Sequence, residues 1–181
     1  MKVVAIDFET ATTRAESACA LALATIEDGE LLGVESFFIR PPSRAFEFTW
    51  LHGISWEDVQ NSPAFDELVP EFDRILKGAD YIAAHNAGFD RKVLYTCYAA
   101  AGYEPPETPF VCTVKIARRV WKRTPNSLDV VCVRLGIPLD HHNHASDAEA
   151  CARIVLASAK EEFPIEGGMM GKPSYSVTVR R

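Results

Sequence analysis

Asp28-Gly29 separates two apolar runs, residues 18–27 and 31–39, and constrains the fold more than any other pair in the chain. A two-residue hairpin turn that matches the twist of its strands needs positive φ at both positions, and Asp-Gly is among the few pairs that accept this. The two runs are therefore predicted to be antiparallel neighbours. A third run, Lys-Val-Val-Ala-Ile-Asp-Phe at 2–8, precedes them and reads as a buried strand. Pro41-Pro42 ends the meander.

Beyond it the hydrophobic period changes. Ser55-Trp-Glu-Asp has the pattern of a short capped helix. Ser62-Pro63 is predicted to open the next one, with Ser as N-cap and Pro at the first helical position. Phe65, Leu68, Val69, Phe72, Ile75 and Leu76 keep helical spacing up to Gly78. Short buried strands are expected at 81–84 and 110–112, with a helix over about 88–101 between them and helices near 114–122, 127–135 and 145–162 after them. Strands joined through helices must cross over and run parallel, so a meander followed by such units implies one mixed sheet covered by helices, an α/β fold. The expected organisation is one domain over 1–163 and a tail, 164–181. In that tail Gly167-Gly-Met-Met-Gly171 reads as flexible, and 175–179 alternates like an edge strand.

Composition narrows the setting. The five cysteines form no CxxC pair and lie in apolar surroundings, as buried free thiols of a reducing cytoplasm do. No apolar run reaches about eighteen residues, and an acid follows the first short apolar run, so neither a membrane span nor a signal peptide is expected. The net charge of −6 does not by itself suggest a nucleic-acid partner. Clustered basic residues, or metals that neutralise an acidic site, would still permit one.

Asp7 and Glu9 stand two apart at the C-terminal end of the first strand, so period two puts both on one face, at the sheet end where α/β folds place ligands. Asp90 opens the helix after the fourth strand and Asp147 the last long helix. Taken alone, the Asp7/Glu9 pair more commonly reads as strand-end acids turned toward solvent, and Asp90 and Asp147 are equally well read as helix-dipole partners. Four of them arriving from three elements suit hard divalent cations, which take carboxylate ligands. A metal pair about 3.5–4 Å apart can assist an in-line displacement at phosphorus.

Asp7-Phe8-Glu9-Thr10, His85-Asn86-Ala87-Gly88-Phe89-Asp90, and His142 placed five residues ahead of Asp147 resemble the three ordered motifs of the DEDDh (DnaQ-like) 3′→5′ exonucleases. This is a branch of the ribonuclease-H-like superfamily that takes in the proofreading epsilon subunit of bacterial DNA polymerase III. The resemblance spans about residues 2–160. It implies a five-stranded mixed sheet in the order 3-2-1-4-5, strand 2 antiparallel, flanked by helices. It also implies two Mg²⁺ or Mn²⁺ ions held by Asp7, Glu9, Asp90 and Asp147. His142 would act as general base, a role that suits an imidazole, which ordinarily titrates near about 6.5. His52-Gly53-Ile54 is similar to a family segment near the terminal nucleotide, and Phe8, Thr10, Asn86 and Phe89 complete the implied substrate contacts. The stretch from Val111 resembles bacterial exonucleases and polymerase-associated exonuclease domains. One departure is Ser146, where many relatives carry an acid.

The implied activity is release of nucleoside 5′-monophosphates from a free 3′ end, single-stranded and DNA by preference, with an exoribonuclease or a weakly active polymerase-associated module as alternatives. An intact acid set argues against a decayed scaffold. The absence of a second domain in 181 residues favours a free-standing enzyme, alone or as a homodimer. Lys115, Arg118, Arg119, Lys122 and Arg123 form a basic run that reads either as a solvated helix face or as a phosphate track, with Lys115 and Arg118 as its substrate contacts. Trp50, Trp56 and Trp121 could stack on bases or pack inward. A zinc cage at His142-x-His144 with Asp147 or Cys151 is the competing reading; it leaves Asp7, Glu9 and Asp90 without a role. His141 and His144 are expected to be bystanders.

Overall fold

The hairpin forms where Asp-Gly requires it. In the structure, a computed structural model describing residues 1–173, 175, 178 and 179, Asp28 and Gly29 take φ of 49° and 84°. They join β2 (Ala18–Glu27) to β3 (Glu30–Phe38) in antiparallel pairing. β1 (Lys2–Thr10) pairs antiparallel with β2 and parallel with β4 (Tyr81–Ala84), which pairs parallel with β5 (Phe110–Cys112). The order β3-β2-β1-β4-β5 is the ribonuclease-H-like sheet expected from the sequence. The helices are α1 (Thr49–His52), α2 (Trp56–Val59), α3 (Phe65–Leu76), α4 (Gly88–Ala100), α5 (Thr113–Val120), α6 (Leu128–Leu135) and α7 (His144–Lys160). None among the described residues is long and apolar enough to cross a membrane.

Period two splits the sheet into two apolar faces. Val4, Ile6 and Phe8 of β1 join Leu21 and Leu23 against α3 and α4, with Phe72 and Tyr98 at the centre. The other face carries Val3, Ala5, Ala22 and Ala24, against Ala148, Cys151, Ala152 and Val155 of α7. Small residues on both surfaces let α7 lie close to β1, on the face from which Asp7 and Glu9 project.

Two local expectations shift. α3 starts at Phe65 rather than Pro63, because Arg40 N–H bonds the Pro63 carbonyl at 2.9 Å and bridges to Ala64, keeping that stretch extended. Ala64 is the N-cap, and its N–H reaches the Glu67 carboxylate at 2.7 Å. The second shift concerns the tail. Pro164–Gly171 was expected to include a flexible glycine segment, yet it closes the free edge of β5. Ile165–Gly168 is a short 3₁₀ turn with Ile165 buried, Met169 bridges Val111, and Met170 N–H bonds the Phe110 carbonyl at 2.8 Å. A β-carbon on Gly168 would stand 2.7 Å from Ile116 Cγ1, so the residue that looked flexible is there for close approach. Ser176 and Val177 of the strand expected at 175–179 lie outside the described residues, and Tyr175, Thr178 and Val179 are not strand.

Candidate active site

β1 outruns its parallel partner: pairing with β4 ends at Ala5↔Ala83, while β1 continues to Thr10. The Phe8 N–H consequently has no strand acceptor, and the Asp90 carboxylate supplies one at 3.1 Å. Asp90 reaches it because β4 exits through Asn86, at φ 66°, directly into the first turn of α4. Asp147 arrives from the first turn of α7, capped by the Asn143 side chain on the N–H groups of Ala145 and Ser146. Oxygens of Asp7, Glu9 and Asp147 all lie within 4.8 Å of one another, with Asp90 on the wall of the same cavity of about 500 Å³.

Crowding of acids shows in their protonation. Burial, then Asp90, Asp147 and Glu9, hold the Asp7 carboxyl well above the ordinary carboxylate range. Burial, then Asp147 and Asp90, push Glu9 up to about 8, and burial pushes Asp90 up to about 7. Asp147 is raised by burial as well. Its Oδ2 accepts the His142 N–H at 3.0 Å, whereas its Oδ1 is buried with no hydrogen-bond partner among the described residues. An orphaned carboxylate oxygen among three other acids is costly by itself and is what a divalent cation would satisfy, so the residues fit Mg²⁺ or Mn²⁺.

The histidines divide by partner. His144 is turned away, its Nε2 on Ser36 Oγ at 2.7 Å and its ring against Phe38, as expected of a bystander. Cys151 Sγ faces Thr113 Oγ1 at 3.8 Å, so His142, His144 and Cys151 do not converge. Nitrogens of His141 and His142 do approach Asp147, but the two rings stack at 4.1 Å and 15°. Lone pairs in two nearly parallel ring planes converge poorly on one ion, and with His144 and Cys151 held elsewhere the zinc cage of His142 and His144 is not assembled. His141, expected to be a bystander, lines the cavity.

His52 has no nitrogen to spare: Nδ1 accepts from Ile54 N–H at 3.1 Å, which fixes the proton on Nε2, 3.2 Å from the Thr10 carbonyl. Burial also lowers its pKa, so His52 is a neutral strut. His85 works likewise, its Nε2 on the Asn126 carbonyl at 2.9 Å and its Nδ1 on Thr113 Oγ1 at 2.8 Å. It ties the β4 exit to the 126–128 wall of the cavity, a wall that no motif signalled.

Of the expected substrate contacts, Asn86, Phe89 and Arg118 line the cavity, and Phe89 is 45% exposed there. Phe8 touches the cavity wall, but its ring belongs to the core. Thr10, His52, Ile54 and Lys115 do not line it; Ile54 packs with Ala11, Cys19 and Val59. The basic run divides as well, because Lys115 holds the Met169 carbonyl at 3.1 Å and Arg119 holds that of Gly167. These two cations serve the tail, and Arg118 is the one turned to the cavity. Trp50 is 79% exposed, Trp56 lies under Arg44 at 5.3 Å, and Trp121 packs against the α6–α7 cluster.

Residues 4–155 match the family model described as Exonuclease. Among curated proteins, the chain is 30% identical over 160 residues to a DNA polymerase III PolC-type of Thermotoga petrophila, covering 84% of this chain and 11% of that protein. It is 32% identical over 153 residues to the PolC-type enzyme of Listeria innocua, covering 81% and 10%. The chain thus spans about a tenth of the length of these relatives. Among solved structures, Exonuclease X in complex with 5′ overhanging duplex DNA superposes with a TM-score of 0.75 at 21% identity, over 92% of this chain and 96% of that one. A full-length 3′-exonuclease superposes at 0.78 and 16%, over 98% and 95%. At these identities the likeness concerns the fold.

Proposed function

The chain belongs to the exonuclease family, a family of phosphodiester hydrolases, and from that premise we propose that it removes nucleoside 5′-monophosphates one at a time from the 3′ end of nucleic acid. The observation that carries this reading is the meeting of Asp7, Glu9 and Asp147 oxygens within 4.8 Å of one another, with a buried Asp147 oxygen that has no hydrogen-bond partner among the described residues.

Asp7, Glu9, Asp147 and Asp90 would hold a pair of Mg²⁺ or Mn²⁺ ions. Bound there, such ions supply positive charge at the phosphate and a lowered barrier to deprotonating water. The protein supplies the rest. The His142 ring takes the proton of the attacking water at a nitrogen and returns it to solvent or to the departing 3′ oxygen. Its backbone N–H, bonded to Asp147, ties the main chain that carries the base to the ligand. Arg118 offsets phosphate charge at the cavity wall, and Phe89 offers a face for the terminal base. Asp90 steadies the strand that carries Asp7 and Glu9 through its bond to Phe8.

DNA with a free 3′ end is the favoured substrate, since the curated relatives are DNA polymerases. RNA is the second reading, because these residues act on the phosphodiester, which DNA and RNA share. The likeness to PolC-type chains makes a polymerase a candidate partner, and a second copy of this chain is the other. The deciding assay uses 3′- and 5′-labelled DNA and RNA oligomers with Mg²⁺, Mn²⁺ or EDTA. Stepwise shortening from the 3′ end, stopped by EDTA, is expected; no shortening of either polymer would sink the enzyme reading.

A further inference from the structure

We propose that His141 is a positioning residue for His142, holding the general-base imidazole in its working plane by ring stacking. The proposal rests on the nuclease reading for what His142 does, but the geometry stands by itself. The two rings are 4.1 Å apart at 15°, and His141 Nε2 lies 4.0 Å from Asp147 Oδ2. His141 therefore touches both the base and one of the carboxylates that would hold metal.

The need for such a device follows from the backbone. His142 sits at φ 70°, where a β-carbon is strained, and among the described residues its one hydrogen bond is the N–H bond to Asp147 at 3.0 Å. That bond fixes the main chain and leaves the side-chain torsions open. Among the described residues no hydrogen bond holds either nitrogen of the His142 ring. A hydrogen-bonding orienter would occupy one of those nitrogens, as happens at His52 and His85. A stacked ring restricts the plane and leaves both nitrogens available for water and proton transfer. Adjacent residues on a loop can stack only where the backbone turns sharply between them, and the positive φ of His142 supplies that turn. The strain at this position and the stack are then two parts of one arrangement.

The test uses the full chain with Mn²⁺ and 3′-labelled single-stranded DNA and RNA. His141→Ala is expected to lower kcat by roughly three- to tenfold, the range one aromatic contact can bias a rotamer, with KM and melting temperature unchanged. His141→Phe keeps a stacking face and is expected to restore kcat to within about twofold of wild type. In a His142→Ala background, His141→Ala should cause no further loss, because it works only through the base. Equal additional loss in that background, or a Phe variant as slow as the Ala variant, overturns the proposal. A second readout needs no turnover: the His142 ring protons should show a ring-current displacement in NMR that His141→Ala abolishes and His141→Phe retains. If the protein degrades neither polymer, the nuclease reading fails, and the ring-current displacement alone then decides whether the stack exists.

Discussion

Replacing Glu9 by Gln should stabilise the metal-free protein at alkaline pH while it destroys activity. Glu9 is 9% exposed, faces Asp147 and Asp90, and titrates at about 8 where a free glutamate titrates near 4.5. An acid whose pKa is raised in the folded state binds more protons there than when unfolded. Its cost to stability therefore grows as pH rises from the unfolded value and levels off above the folded one. At about 1.4 kcal/mol for each tenfold change in proton affinity, the ceiling for Glu9 is roughly 4 kcal/mol at pH 8. Relaxation of the neighbouring acids and entry of water reduce what is observed to about 2 kcal/mol, or roughly 4–8 °C in melting temperature for a chain of this size. The assay is thermal unfolding in EDTA at pH 5 and pH 8. At pH 5 the folded wild type already carries a neutral Glu9 that Gln mimics, so the gain should nearly vanish. Saturating Mn²⁺ should raise the wild-type midpoint at pH 8 and do little for the variant. Glu9→Gln melting at or below wild type at pH 8, or an equal gain at both pH values, would refute the crowding argument.

Mn²⁺ binding should release protons, since Asp90 titrates at about 7, Glu9 at about 8, and burial raises Asp7 and Asp147. Affinity measured by calorimetry should climb between pH 6 and 8, and the observed enthalpy should depend on the buffer's ionisation heat. Gly168→Val drives a side chain into Ile116, and overpacking of this kind costs about 1–3 kcal/mol, visible as a lower melting midpoint with the nuclease site intact. A midpoint equal to wild type would mean that the tail is not seated on β5. His85→Ala removes the bonds to Asn126 and Thr113, a loss of about 1–3 kcal/mol that should also raise hydrogen exchange over 123–128. Unchanged exchange there would show that His85 does not hold the wall.

The parts legible in the sequence are those set by local chemistry. Asp28-Gly29 specifies its turn whatever surrounds it, and the strand limits of β2, β4 and β5 follow from side chains within each run. The acids were legible because strand period and helix first turns fix their direction before packing is known. What escaped depends on partners far along the chain. Pro63 could start a helix, but Arg40, 23 residues earlier by number, holds its carbonyl in an extended bridge. Gly167–Gly171 has the composition of a linker, and its order comes from β5, Lys115 and Arg119. The same residues explain why the basic run misled: its cations were counted together, while helical geometry sends them to different places. His141 escaped because a spacing rule to Asp147 selects His142 alone, whereas ring stacking is a relation that no spacing encodes.

One packing choice links the fold to the chemistry. Ala5, Ala22 and Ala24 meet Ala148 and Ala152, and this close fit between sheet and α7 brings Asp147 down onto Asp7 and Glu9. Larger side chains on either surface would lift the helix and separate the carboxylates, relieving their repulsion and enlarging the space a cation must fill. The alanines thus add Asp147 to the burial that chiefly raises Glu9 to about 8, and the same closeness would suit the cluster to a small hard cation. A substitution such as Ala148→Leu is therefore expected to weaken Mn²⁺ binding and to bring the Glu9 titration back toward its ordinary range at once. If metal affinity fell while that titration stayed near 8, followed by NMR of the Glu9 side chain, helix seating would not be what crowds the acids.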